Sequence, residues 1–162
     1  MSLNERILDL LQANSRLTAA QIAIMLGEDE AVVAEAIQTL EGDNVILGYT
    51  SIINWEKTAR DSITALIEVR VTPQRGHGFD AIAQQIYRYP EVKSCFLMSG
   101  GYDLMLIVEG KTLKDVAMFV SERIAPVDAV MSTQTHFILK TYKHEGTVFE
   151  VRTPDDREAV VL

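Results

Sequence analysis

A chain of 162 residues can hold one medium domain or two small ones, and 48% hydrophobic with 23% charged residues excludes a disordered polymer. The net charge of −8 runs against the basic balance expected of a nucleic-acid-binding domain. No apolar run approaches the roughly 20 residues that cross a bilayer, and one cysteine, Cys95, excludes a disulfide within the chain.

Three short helices are predicted at the front. Leu3, Ile7, Leu10 and Leu11 recur at helical spacing, and Asn14-Ser15-Arg16-Leu17 breaks the pattern. A second helix opens at Thr18, with Gln21 completing a capping box. It carries Ile22, Ala23 and Leu26, and Gly27 ends it. A third starts from Asp29 as N-cap, carries Val33, Ile37 and Leu40, and stops near Gly42-Asp43-Asn44. Two helices joined by a tight glycine turn behind a packing helix make a helix-turn-helix. Ile46–Asn54 is predicted as a strand leading away, and Trp55–Asp61 as a hinge.

The second half reads as β-α-β twice over. Ile63 to Val71 alternates strictly between apolar and mixed positions, as a strand with one buried face does. A helix carrying Phe79, Ile82, Ala83, Ile86 and Tyr87 follows and stops at Pro90. A strand runs from Val92 to Ser99, and Gly100-Gly101 is a turn. Tyr102–Glu109 is the next strand. Thr112, with Asp115 three residues on, caps a helix that Pro126 ends, and a last strand is expected from Val130 to Tyr142. This is the split βαβ, or ferredoxin-like, unit. Its helices cover one sheet face only, yet Leu104-Met105-Leu106-Ile107-Val108 is apolar on both, so a second copy is expected to cover the other. In Glu145–Leu162, Val148, Glu150 and Arg152 alternate as in an edge strand, and Pro154-Asp155-Asp156-Arg157 reads as an exposed turn. The fold class is therefore α+β. A three-helix (winged) helix-turn-helix domain, residues 1–47, precedes a strand and hinge over 48–61, a ferredoxin-like βαββαβ domain over 62–143, and a tail over 144–162.

Several local stretches, in this order and spacing, resemble the Lrp/AsnC family over residues 3–143. They are Ile7-Leu8-Asp9-Leu10-Leu11-Gln12-Ala13-Asn14-Ser15-Arg16, Leu40-Glu41 with Val45-Ile46-Leu47-Gly48-Tyr49, Pro90-Glu91-Val92, and Ser99-Gly100-Gly101-Tyr102-Asp103-Leu104. The resemblance implies a transcriptional regulator that binds double-stranded DNA through its front domain and an amino-acid effector through its back domain. It also implies a homo-oligomer, a dimer assembling into a tetramer of dimers. By resemblance, Gly101, Tyr102 and Asp103 map to the effector turn, with Thr133, Gln134 and Thr135 as a second part of the pocket. The chemistry also stands on its own residues. Asp103 offers an anion for an ammonium group, and the bare backbone of Ser99-Gly100-Gly101 offers N–H donors for a carboxylate. The alternative is a tight hairpin made by the glycines and capped by Asp103.

The chain departs from the family pattern in its third helix, where members usually carry arginine or lysine. Asp29–Asn44 has neither, and its expected exposed face is Glu30, Ala31, Ala34, Glu35 and Gln38. Residues 1–47 hold two cations, Arg6 and Arg16, against eight acids, a net of −6. The remainder holds thirteen cations and fifteen acids, a net of −2. Phosphate neutralisation supplies most non-specific DNA affinity. Arg16 is the expected phosphate contact, the N-terminus at Thr18 a backbone contact, and Gln38 a base reader. Two other readings are weighed: a metabolite-sensing oligomer whose acidic front domain binds protein, and a tetrapyrrole-type decarboxylase.

No catalytic site, cofactor or metal site is expected. His77, His136 and His144 are scattered without ligand spacing. Cys95 reads as a small core residue, and Gly76-His77-Gly78 is too short for a phosphate loop. Arg70, Arg75, Arg88 and Lys93 read as ordinary solvated surface. Met1–Arg6 lacks the layout of a signal peptide, so a cytoplasmic location away from membranes is expected.

Overall fold

The computed structural model describes residues 1–72 and 78–149. The chain divides into two compact units, Met1–Ile53 and Asn54–Leu162.

The first unit is three helices, α1 (Leu3–Ala13), α2 (Ala19–Leu26) and α3 (Glu30–Gly42). Side chains satisfy the free N–H groups at each start. Ser2 with Glu5, and Thr18 with Gln21, form reciprocal capping boxes, and Asp29 accepts from the Ala31 N–H. Gly27 ends α2 at φ 70°, a conformation that costs glycine little. Ile7, Leu11, Ile22, Ala23, Val33 and Leu40 form the buried core. Ile37, expected in the core, is only partly buried against it. Arg6 fastens α1 to the end of α2: its Nη2 donates to the Leu26 carbonyl at 3.0 Å, and its Nη1 lies 3.5 Å from the Glu28 carboxylate.

The strand expected over 46–54 does not form. The N–H groups of Val45 and Ile46 turn back to the Leu40 carbonyl, and the stretch beyond has no strand partner among the described residues. Its alternation of apolar residues meets no neighbouring edge, and a strand needs one. Leu47 is 87% exposed. Tyr49 ties the segment to α3 by donating to Glu41 at 2.7 Å, a hydrogen bond that, with slight burial, raises the phenol above its usual pKa.

The second unit is an antiparallel sheet of four strands. These are β1 (Ile63–Val71), β2 (Val92–Leu97), β3 (Leu104–Gly110) and β4 (Val130–Phe137), in the order β2-β3-β1-β4. Helix α4 (Asp80–Tyr87) joins β1 to β2, and α5 (Leu113–Phe119), with a wider turn over Val120–Ile124, joins β3 to β4. Each crossover skips a strand, the split βαβ arrangement. Helices and sheet share one core, with Ala65, Ile67, Val69, Leu104, Leu106 and Val108 facing Ile82, Ile86, Val116, Phe119 and Ile124. The other sheet face presents Leu66 opposite Ile107, and Met105 opposite Phe96, all of them partly or well exposed.

Three strand ends differ from the sequence expectation. β2 stops at Leu97, β3 starts at Leu104, and β4 stops at Phe137 rather than Tyr142. β5 (Lys143–His144) and β6 (Thr147–Val148) then make a small hairpin. The expected edge positions Glu150 and Arg152, the turn at 154–157, and Arg75, Gly76 and His77 lie outside the described residues.

Candidate DNA-binding and effector-binding sites

In the first unit, Glu30, Ala31, Glu35 and Gln38 are exposed on α3 as expected, and Ala34 turns partly inward. Arg16 is exposed in the turn before α2, and among the described residues its one side-chain-mediated hydrogen bond is its backbone N–H donating to Asn14 Oδ1. Thr18 is exposed, but its side chain is occupied by the α2 capping box. Arg6, the other cation of this unit, is occupied by Glu28 and the Leu26 carbonyl. Sequence reasoning took Arg16 as the phosphate contact without a physical ground for setting Arg6 aside. Their difference is tertiary, because it depends on the end of α2 meeting α1. Among the described residues Arg16 is thus the arginine of this unit without an ion pair, and the recognition face is uncharged or acidic.

In the second unit, Ser99, Gly100, Gly101, Tyr102 and Asp103 form the loop between β2 and β3, closed by Met98 N–H donating to the Asp103 carbonyl at 2.8 Å. Gly100 and Gly101 lie in this connection, as the expected turn requires, but its geometry does not demand glycine at either position. Neither has a positive φ, and a Cβ on either would touch nothing within 4 Å. Asp103 does have a structural task. Its N–H donates to the Val69 carbonyl at 3.1 Å, and its Oδ2 accepts from Val71 N–H at 2.9 Å, where the β1–β4 register shifts. Its Oδ1 has no hydrogen-bond partner among the described residues. Tyr102 reaches the Met105 sulfur at 3.8 Å.

Thr133, Gln134 and Thr135 sit on β4. Val69 pairs with Leu104 on one side and with Thr133 on the other, so β1 separates the two groups of residues. Within one chain they lie two strands apart, about 10 Å. Gln134 is on the open face, opposite Glu68, and Thr133 and Thr135 are half-buried on the helix side.

The remaining titratable groups take ordinary roles. His136 Nε2 lies 3.2 Å from Glu68 Oε1 on the open face. His144 packs edge-on against Phe149. Cys95 packs against the core, and burial raises its thiol pKa. Among the described residues no group of histidine, cysteine or carboxylate side chains could hold a metal ion, and no helix is long and apolar enough to cross a membrane.

Residues 3–46 match the winged helix-turn-helix DNA-binding family, and residues 64–148 match the Lrp/AsnC ligand binding domain. A Bacillus subtilis (strain 168) protein described as the uncharacterized HTH-type transcriptional regulator YugG is 46% identical, over 100% of this chain and 99% of its own length. The HTH-type transcriptional regulator LrpA of Pyrococcus abyssi is 28% identical over 85% of this chain and 94% of its own. Among solved structures, Neisseria meningitidis regulator NMB0573 in complex with L-Met superposes with a TM-score of 0.72 at 23% identity, covering 89% of this chain and 93% of that one. E. coli AsnC superposes with 0.68 at 17% identity, covering 88% and 93%. These two likenesses speak for the fold. The relatives are regulators, and they lend no support to the decarboxylase or protein-docking readings. Through its ligand-binding domain and its close full-length relative, the chain belongs to the Lrp/AsnC family of helix-turn-helix transcriptional regulators.

Proposed function

We propose that this regulator senses an α-amino acid at the loop between β2 and β3 and that the ligand alters its hold on DNA. The observation that carries the reading is the pairing, on one loop, of a carboxylate oxygen without a partner among the described residues, Asp103 Oδ1, and uncrowded glycine backbone at Gly100 and Gly101. The carboxylate receives the ligand ammonium, and N–H groups of Ser99–Gly101 receive its carboxylate. Thr133, Gln134 and Thr135 of another subunit complete the pocket, since β1 keeps those of the same chain away from it.

A second copy covers the open sheet face at Leu66, Phe96, Met105 and Ile107, because a half-exposed apolar face of this kind is stabilised by removal from water. Pairing of dimers into a tetramer of dimers then raises the apparent DNA affinity of a weakly charged reading head by multivalency. DNA contacts fall to Arg16, to the backbone at Thr18, and to Glu30, Ala31, Ala34, Glu35 and Gln38 on α3. Gln38 is suited to adenine and glutamate to a cytosine amino group. With DNA as its partner, the protein works in the cytoplasm in this reading.

Fluorescence anisotropy of the purified protein on its own upstream DNA, across salt concentrations and with each amino acid, tests the reading. Binding should be sequence-selective with a shallow salt slope. Arg16→Ala should lower that slope by about 1. Asp103→Asn, which keeps an acceptor for Val71 but removes the charge, should bind DNA yet lose the amino-acid response. A normal response from Asp103→Asn refutes the pocket, and absence of DNA binding at low salt refutes the contacts.

A further inference from the structure

At the opposite end of the sheet from the β2–β3 loop lies a cleft of about 510 Å³. The start of β1, the start of β2 and the end of β3 converge there. It is lined by three cations, Arg60, Lys93 and Lys111, and three acids, Asp61, Glu91 and Glu109. Opposite charges gathered in one cleft ordinarily pair. Here none of the six side chains forms an ion pair among the described residues. Lys93 donates to the Pro90 carbonyl at 2.9 Å, and the Arg60 guanidinium lies 4.5 Å from the centre of the Trp55 ring. Glu91 keeps its Oε2 out of water with no hydrogen-bond partner among the described residues, a state that costs free energy. Gly110 lies in the cleft where a Cβ would come within 2.9 Å of a Val116 methyl, so packing against α5 keeps this position free of a side chain.

We propose that this cleft is a second small-molecule site, separate from the loop that carries Asp103, and that it takes a zwitterionic α-amino acid. The ligand ammonium partners the Glu91 carboxylate, and its carboxylate partners Lys111 and Arg60. A ligand of one sign would leave the other set of charges unmatched. A phosphate or nucleic-acid backbone would meet three carboxylates, and those carboxylates do not converge as a metal site requires. Lys93, read from sequence as ordinary solvated surface, belongs to this constellation. The seven residues of β3 separate the cleft from the Asp103 loop by about 20 Å at strand rise, so the two sites share no residue within a chain.

Trp55 is the only tryptophan and stacks on a residue of the cleft, which makes it a local reporter. Each of the twenty L-amino acids is titrated into the full chain while Trp55 emission is followed, with acetate and methylamine as single-charge controls. At least one amino acid should give a saturable change that neither control gives. Glu91→Gln and, separately, Lys111→Ala should weaken that binding about tenfold or more, as loss of a charge-assisted contact does. Asp103→Asn should leave it intact. Lys111 is exposed on a loop, so its variant keeps the inference testable even if Glu91→Gln folds poorly. No saturable change with any amino acid overturns the proposal. So does binding indifferent to both cleft variants, an equal response to acetate or methylamine, or a response lost in Asp103→Asn.

Discussion

In the proposed reading Asp103 carries two tasks. One carboxylate oxygen holds the end of β1 through Val71 N–H, and the other, without a hydrogen-bond partner among the described residues, receives the ligand ammonium. Asp103→Ala should therefore cost about 1–3 kcal/mol, because a half-buried N–H loses its acceptor. Asp103→Asn should stay close to the parent, and urea denaturation midpoints distinguish the two. Equal stability of Ala and parent would mean that the Val71 bond contributes nothing. Cys95 offers a second residue-scale test. Burial pushes its thiol pKa above the usual 9.0, which favours the neutral thiol in the folded chain. Ellman's reagent should react more slowly than with free cysteine at neutral pH, accelerate only at more alkaline pH, and lose the difference in denaturant. Both side chains were singled out from sequence, Asp103 for charge and Cys95 for its mid-strand position. Neither partner was legible there, since Val71 lies 32 residues from Asp103.

Helix ends were the most legible elements. Thr18 with Gln21 and Thr112 with Asp115 are local patterns, and both form the expected reciprocal bonds. Local geometry also separates glycines that look alike in sequence. Gly27 has φ 70°, and a Cβ there would touch nothing. Gly27→Ala should cost about 1–2 kcal/mol from backbone strain alone. Gly100 is equally uncrowded but has no positive φ, so Gly100→Ala should melt close to the parent. Comparable losses in thermal melts of both variants would show that the loop conformation is strained. The expectation for residues 46–54 failed because alternation describes a strand's faces and says nothing of its edges. A partner strand must exist, and the described residues supply none.

At the scale of the whole molecule, charge and exposed apolar surface govern assembly. The first unit holds a net of −6, and Arg6 is already committed to Glu28, so in the proposed reading DNA affinity draws on few phosphate contacts multiplied by copies. The open sheet face is where copies meet in this reading. Ile107→Lys sets a charge beside Leu66 without touching the helix-side core. Light scattering should show a shift towards monomer, with circular dichroism unchanged. An unaltered oligomer would move the interface elsewhere.

Periodicity, caps and turn residues by themselves determined the three front helices, the β-α-β-β-α-β order and the two-sided apolar character of β3, because each follows from neighbours a few residues apart. Only the tertiary structure decided which arginine of the front unit stays unpaired. It also revealed that β1 stands between Asp103 and Thr133, and that Arg60, Glu91, Glu109 and Lys111 line one cleft. Those outcomes depend on which distant segments become neighbours when strands pair and helices pack, information that no local pattern of the chain contains.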